Sequence, residues 1–458
     1  MSELSDLNKA QVQRFISYFK AKRERLLSER DVEKSEFVSD RLADDQAIYS
    51  KADEALLLEA VLLAESLLQA DCSSNAFDAP TPPVADPMQH NGQALRDACF
   101  DKTASHVFVI GDWGGVQYAE GMPIMPADHR SHLFPKRVRA FVNGVDNCAQ
   151  QRVAAQMFNW SLAYPPDYII NVGDNFYWGG ANSSCESNAL VEGFRWHQWG
   201  PIFEDMYRGG GLDGKQWLGV LGNHDYGGFL FTSGWHETIF YTWAAGSSGR
   251  WLTPAQYWQV KARYTDFSVD YYFVDTNVHN AWPSGHESSH NICSDMHNSE
   301  GAWCPITGPY SVETCYSWFK TLWELQTRWL DQRLSLSAAD WQIVVSHFPP
   351  EYNVEYWRTL GARYGIDLLI SGHRHFQQII QKDEVVRDAI SFPFTIIISG
   401  GGGGITADRK PDLFGHDDAY GFMDLFLTKH KISIKAISHT GALRKEVDIP
   451  RQMGAAIV

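Results

Sequence analysis

Gly173-Asp174-Asn175-Phe176-Tyr177 follows the apolar run Tyr168-Ile169-Ile170-Asn171-Val172. A run of that length and composition reads as a buried strand, and the glycine closing it reads as a turn. Asp174 is thereby a hard carboxylate donor placed where a buried strand ends. Tyr177 stands three residues on, near enough to turn back toward the same point. A carboxylate can bridge two cations, and a phenolate beside it favours a hard, highly charged one such as ferric iron. Taken alone, Gly-Asp-Asn is a common turn. Four further stretches of the same build give it weight.

Gly111-Asp112-Trp113-Gly114-Gly115 follows the run Val107–Ile110, and Gly222-Asn223-His224-Asp225 follows Trp217–Leu221. Ser346-His347-Phe348-Pro349-Pro350 follows Ile343–Val345, and Gly372-His373-Arg374-His375 follows Leu368–Ile370. A glycine beside a donor is ordinary turn chemistry, but it also lets the backbone come close to an ion. Five such loops in one chain are not a coincidence of turns. Further strand runs fall at Val269–Val274 and Thr395–Ile398, with helices expected over Pro135–Trp160 and Tyr316–Leu334. Strands alternating with helices predict an α/β fold with its ligands at the carboxyl ends of the strands. Gly421–Leu427 and Lys431–Ile437 follow one another without a helix, which predicts an antiparallel edge or a second sheet.

The set GD, GDNFY, GNHD, H and GHxH, running from Val107 to Ile449, resembles the calcineurin-like metallophosphoesterase superfamily. The wording GDWGG and GDNFY, with Tyr177, is similar to purple acid phosphatases of the small, tartrate-resistant type. The resemblance implies a four-layer α/β/β/α sandwich of two mixed sheets with a two-metal site at its edge. It implies that Asp112, Asp174, Tyr177 and His375 hold iron(III). Asp174, Asn223, His347 and His373 would hold a second, divalent ion: iron, zinc or manganese. Two cations roughly 3.5–4 Å apart can clamp the attacking and leaving oxygens of an in-line displacement. The implied activity is hydrolysis of phosphomonoesters by attack of a metal-bound hydroxide, as an acid phosphatase, on a small phosphate ester or a phosphoprotein. The alternatives are a phosphodiesterase or nucleotide hydrolase on the same fold, or a catalytically idle scaffold that binds a partner. Tyr177 argues against the diesterase and the intact donor set against the idle scaffold.

Asp174 and His224 are the catalytic candidates, and Asn223, His224 and Arg374 the substrate-binding ones. Arg374 either reaches phosphate or forms a salt bridge. The chain departs from the family in one place. Purple acid phosphatases usually carry a histidine about nine residues after the ligand matching His347, and Glu351-Tyr352-Asn353-Val354-Glu355-Tyr356-Trp357 has none. Tyr352, Tyr356 or a histidine of the 277–316 stretch is left to protonate the leaving group. Gly400–Gly404 is no nucleotide phosphate loop, because no Lys-Ser/Thr follows at the required offset. It reads as a tight passage beside the metal site. Trp113, Trp178, Tyr226 and Trp235 are either core or the wall of a pocket for an aromatic or nucleoside leaving group.

The chain of 458 residues carries a net charge of -16, which argues against nucleic acid or an anionic membrane as the main partner. Residues 1–71 read as a helical extension, suited to packing, docking or oligomerisation through residues 1–70. Residues 72–100, with Ala79-Pro80-Thr81-Pro82-Pro83, read as a linker, since proline removes donors and blocks helix. The catalytic domain is expected over 101–458, with an insertion at 277–316. No run is long and apolar enough for a membrane span. The family favours a secreted or vacuolar location, yet the first thirty residues lack the apolar core of a signal peptide. The insertion holds His279, His286, His290 and His297 with Cys293, Cys304 and Cys315. It matches no standard zinc spacing, so a disulfide-stapled loop over the site mouth is expected.

Overall fold

Residues of the run before Gly173 enter two different cores. In the computed structural model Tyr168–Asn171 is a strand, with Tyr168 and Ile170 in one core and Ile169 in another. Side chains alternate sides along a strand, so a strand with no polar face must lie between two packed layers. Ala104–Ile110 divides the same way, Val107 and Val109 inward and Phe108 and Ile110 outward.

The structure describes residues 75–451 except 85, 116, 120–121, 125–138, 178, 182–197, 228–233, 245, 287–289, 296–307, 310 and 387–389. The helical extension expected over residues 1–71, and any docking through it, lie outside the described residues. In chain order the strands are β1 (Gln93–Ala94), β2 (Ala98–Phe100), β3 (Ala104–Ile110), β4 (Gln117–Ala119), β5 (Met122–Ile124), β6 (Tyr168–Asn171), β7 (Trp217–Gly219), β8 (Trp251–Leu252) and β9 (Trp258–Tyr264). They continue as β10 (Ser268–Phe273), β11 (Trp341–Val345), β12 (Leu368–Ser371), β13 (Gln377–Ile380), β14 (Thr395–Ser399), β15 (Gly421–Thr428), β16 (Lys431–Ser438) and β17 (Leu443–Pro450). Four α-helices of the described residues are α1 (Ala149–Ala163), α2 (Gly234–Phe240), α3 (Val312–Ser335) and α4 (Val354–Tyr364).

One sheet runs β1-β9-β10-β11-β12-β14-β13 with β2 beside β9, and the other runs β17-β16-β15-β3-β6-β7-β8. Both are mixed. β10, β11, β12 and β14 are parallel, as are β3, β6, β7 and β8; β9–β10, β13–β14 and β3–β15 are antiparallel, and β1 and β2 run parallel to β9. The sheets face each other across Val107, Tyr168, Ile170, Val260, Tyr271, Ile343 and Ile370. Val153 and Met157 of α1 cover Phe108 and Phe422 of one outer face. Leu330 and Leu334 of α3, with Trp357 and Leu360 of α4, cover Tyr272, Val344 and Ile396 of the other. This is the expected α/β/β/α sandwich, and β15–β16 is the expected antiparallel edge. No helix of the described residues is long and apolar enough to cross a membrane.

Two boundaries differ from expectation. Residues 72–100 are not a linker throughout, because β1 and β2 pair with β9. Phe77 and Phe100 also pack on the Tyr168 ring, with centroids 5.0 and 5.8 Å away. Scattered apolar anchors in a proline-rich stretch are enough to bind it to a sheet edge. The helix expected over Pro135–Trp160 starts, among the described residues, at Ala149, and its first residues, 135–138, lie outside them. Gly144 is left-handed, and Asp146 is drawn into an ion pair with Arg139 at 2.6 Å that holds the preceding chain as a turn.

A disulfide joins Cys293 to Cys315, as expected for the insertion, and Cys99 is disulfide-bonded as well. His297 and Cys304 lie outside the described residues. Cys293 and Cys315 pack with Tyr226, Trp235 and Phe319 in a small separate core. The bond spans 22 residues, so C293A/C315A should lower stability by about 3 kcal/mol through loop-closure entropy. An unchanged denaturant midpoint would contradict this.

Candidate metal centre

Parallel neighbours end on the same edge of a sheet, so their following loops gather side by side. β3, β6 and β7 deliver Asp112, Asp174 and Asn223, while β11 and β12 deliver His347 and His373. Packing the two sheets face to face joins the two sets. Asp174, His347 and His373 form one cluster of donor atoms and Asp112, Asp174 and His375 a second, each within 4.8 Å. Asp174 belongs to both. The Asn223 Oδ1 lies 3.1 Å from His347 Nε2 and 3.2 Å from His373 Nδ1, which places it in the first cluster. The Tyr177 hydroxyl donates to Asp112 at 2.9 Å and to Asp174 at 2.8 Å, and lies 3.2 Å from His375 Nε2, which places it in the second.

The backbone is forced to make these approaches. Asp112, Asp174 and His373 all have left-handed φ, of 57°, 52° and 64°. Each such residue costs about 1 kcal/mol or more and persists only where its surroundings impose it. Here the His373 amide donates to Asp112 at 3.0 Å and the His224 amide to Asp174 at 2.8 Å. A methyl at Gly222 would collide with the Asp174 carboxylate and with its backbone amide. Gly400–Gly404 does pass tightly beside the cluster, with the Gly404 amide donating to the Asp112 carbonyl at 2.8 Å.

Asp112 and Asp174 are fully buried, and among the described residues no Lys or Arg pairs with either. Two carboxylates kept from water require positive charge nearby, and cations held by this donor set fit that requirement. Burial, and then the two carboxylates, push the Tyr177 phenol well above its ordinary range. Burial would also raise Asp174, but His347 and His224 override it and hold the carboxyl well below the usual range. Burial would strip His347 of its proton, yet Asp174 beside it holds the ring up at about 9. Metal binding at such groups releases protons.

Neighbours orient the donors. His347 Nδ1 donates to the Val172 carbonyl at 2.8 Å, so Nε2 faces inward. The His375 amide donates to Asp408 Oδ2 at 3.1 Å, and its Nδ1 stands 3.6 Å from the same carboxylate. Asp225 accepts from the Asn175 amide and side chain at 3.1 and 3.0 Å; burial and then Asp174 push it up to about 7. Sequence reasoning missed Asp408, which carries no motif, and left Asp225 without a role although it stands inside one.

His224 stacks its ring against Tyr177 with centroids 4.4 Å apart. Arg374 forms an ion pair with Glu351, so of its two expected partners the carboxylate is the one it meets. Of the candidates for the missing histidine, Tyr352 reaches the cluster, its hydroxyl 3.0 Å from His373 Nε2. Tyr356 is packed between Trp323 and Trp357 instead. His279 lies behind Tyr352, ring centroids 6.0 Å apart. Of the two readings of the aromatics, core is the one met by Trp113, Tyr226 and Trp235, all fully buried: Trp113 packs under the outer face of one sheet, and Tyr226 and Trp235 pack in the small core around Cys293 and Cys315. Trp178 lies outside the described residues.

The family model described as calcineurin-like phosphoesterase matches residues 105–377. Tartrate-resistant acid phosphatase type 5 of Oryctolagus cuniculus is 23% identical over 293 residues, 62% of this chain and 70% of that one. Purple acid phosphatase 17 of Arabidopsis thaliana is 27% identical over 263 residues, 55% of this chain and 63% of that one. The murine type 5 enzyme is 22% identical over 49% of this chain and 60% of its own length, so this chain spans well short of the whole of these relatives. Among solved structures, purple acid phosphatase PPD1 of Lupinus luteus aligns with a TM-score of 0.45 at 12% identity, over 79% of this chain and 56% of that one.

Proposed function

The chain belongs to the calcineurin-like phosphoesterase family, and on that footing we propose that it hydrolyses phosphomonoesters at a two-cation site. One cation position is formed by Asp112, Asp174, Tyr177 and His375, the other by Asp174, Asn223, His347 and His373. The observation that supports this most is the single buried Asp174 carboxylate shared by two donor clusters. The phenol of Tyr177 favours iron(III) at the first position, and the amide and two imidazoles suit iron, zinc or manganese at the second. When bound, the cations supply the charge that offsets the phosphoryl oxygens and activates water.

The chain's own groups hold and orient. Asp174 keeps the two positions in one geometry, and the His224 amide and Tyr177 hydroxyl pin its oxygens. The His224 ring, next to Asn223 and stacked on Tyr177, donates to the ester oxygen that leaves. Arg374, held by Glu351, stands between the two histidine donors as a candidate contact for phosphate.

The test is phosphate release from a monoester and from a diester at pH 5 and pH 7, with metal analysis of the same preparation. Monoester turnover with two metal ions per chain is expected. With iron present, a visible absorption band should appear, and Y177F should bleach it. Turnover of the diester alone, or one metal ion per chain, would overturn the reading.

A further inference from the structure

The short helical turn Pro350–Asn353 reaches the His373-Arg374-His375 loop with two adjacent side chains. Glu351 pairs with Arg374, and the Tyr352 hydroxyl lies 3.0 Å from His373 Nε2. On the other side of the same ring, Nδ1 lies 3.2 Å from Asn223 Oδ1. We propose that Tyr352 is a positioning residue that accepts the Nε2 hydrogen of His373 when Nδ1 faces a cation, and through that raises the affinity of the second cation position. This rests on the two-cation reading above.

A neutral imidazole has one N–H and one lone pair. The Asn223 carbonyl oxygen at Nδ1 can only accept, whereas the Tyr352 hydroxyl at Nε2 can accept or donate. With hydrogen on Nε2, it is donated to Tyr352, and the Nδ1 lone pair faces the position shared with Asn223 and His347. With hydrogen on Nδ1, it is donated to Asn223, and both of those groups are spent on each other rather than on a cation. With a cation on the Nδ1 lone pair the hydrogen is on Nε2 and the Tyr352 hydroxyl is there to accept it, whereas a phenylalanine at 352 takes that acceptor away.

Removing that hydroxyl isolates this effect, because the ring is held by other means. Phe348 stacks on His373 with centroids 4.0 Å apart, and the Tyr352 ring itself makes an edge contact at 5.3 Å that phenylalanine keeps. The His373 amide remains bonded to Asp112 at 3.0 Å. Tyr352 is 43% exposed, so the substitution opens no cavity in the core.

The experiment is zinc titration of the metal-free, full-length chain against a competing chelator, which reads two affinities without any assay of turnover. For Tyr352→Phe the weaker-held second zinc should lose about tenfold in affinity, the size typical of losing a group that orients a ligand. The first zinc should stay within twofold, and the unfolding midpoint should not move. Tyr356→Phe, whose hydroxyl is away from the cluster, should leave both affinities as they are. An unchanged second affinity in Tyr352→Phe overturns the proposal, and so does an equal loss at both positions, which marks a merely structural role. If the unsubstituted chain binds fewer than two zinc ions, the two-cation reading itself has failed, and this proposal fails with it.

Discussion

Asp174→Asn should lower phosphate release by roughly a thousandfold or more, the scale expected when a preorganised charge-stabilising group is lost. The reason is positional. Among the described residues Asp174 is the only one present in both donor clusters, and its carboxylate is fully buried. Asparagine keeps the shape but offers one acceptor oxygen and one donor-only NH2, so it cannot bridge two cations. Asp112→Asn, by contrast, touches one cluster alone. Metal analysis should therefore show Asp174→Asn losing affinity at both positions and Asp112→Asn at one. The metal-free Asp174→Asn chain should still fold, because its partners there are the Tyr177 hydroxyl, the His224 amide and His347, all polar groups, and the substitution keeps the volume of the side chain. Two ions bound with unaltered affinity in Asp174→Asn would end the shared-carboxylate account.

The largest expected effect on folding comes from a residue that touches no ligand. Gly115→Ala should cost about 3 kcal/mol or more, the upper end for forcing atoms into filled space. A Cβ at Gly115 would stand 1.7 Å from the Gly404 carbonyl oxygen, with the Gly404 carbon and Cα close behind. All three are backbone atoms, so no rotamer can move aside. Relief would require the Asp112 loop to part from the passage after β14, and the Gly404 amide bond to the Asp112 carbonyl would break with it. Gly285→Ala is the control, because a Cβ there meets nothing within 4 Å, and its effect should stay within about 0.5 kcal/mol. Equal denaturant midpoints for the two variants would refute the argument. The second glycine of Gly114-Gly115 is thus a packing requirement between two loops far apart in sequence.

Much of the site was legible because its donors obey a local rule. A strand that ends in glycine and then a donor can be read one loop at a time, and parallel strands collect such loops at one edge. Asp112, Asp174, Asn223 and His373 follow this rule, and His347 stands at a strand end of the same kind with Ser346 in place of the glycine. Tyr177 and His375 sit within three residues of such a donor, so they come to the same place. Asp408 could not be read, since its loop passes His375 only after β13 and β14 have turned the chain back. Trp113, Tyr226 and Trp235 were ambiguous for a different reason. An aromatic next to a donor motif has the same sequence whether it lines a cleft or fills a core, and only burial separates the two.

By itself the sequence determined the layers and the donors. Unbroken apolar runs such as Val107–Ile110 and Tyr168–Ile170 leave a strand no polar face, which states that both faces are buried, and the residue types at the strand ends state what can be held there. Only the tertiary structure decided the pairings: Arg374 with Glu351, His373 with Tyr352, and residues 93–100 with β9. Periodicity and residue type are properties of neighbours along the chain. A hydrogen bond or ion pair depends on a distance of about 3 Å between segments that the chain itself leaves free to lie anywhere.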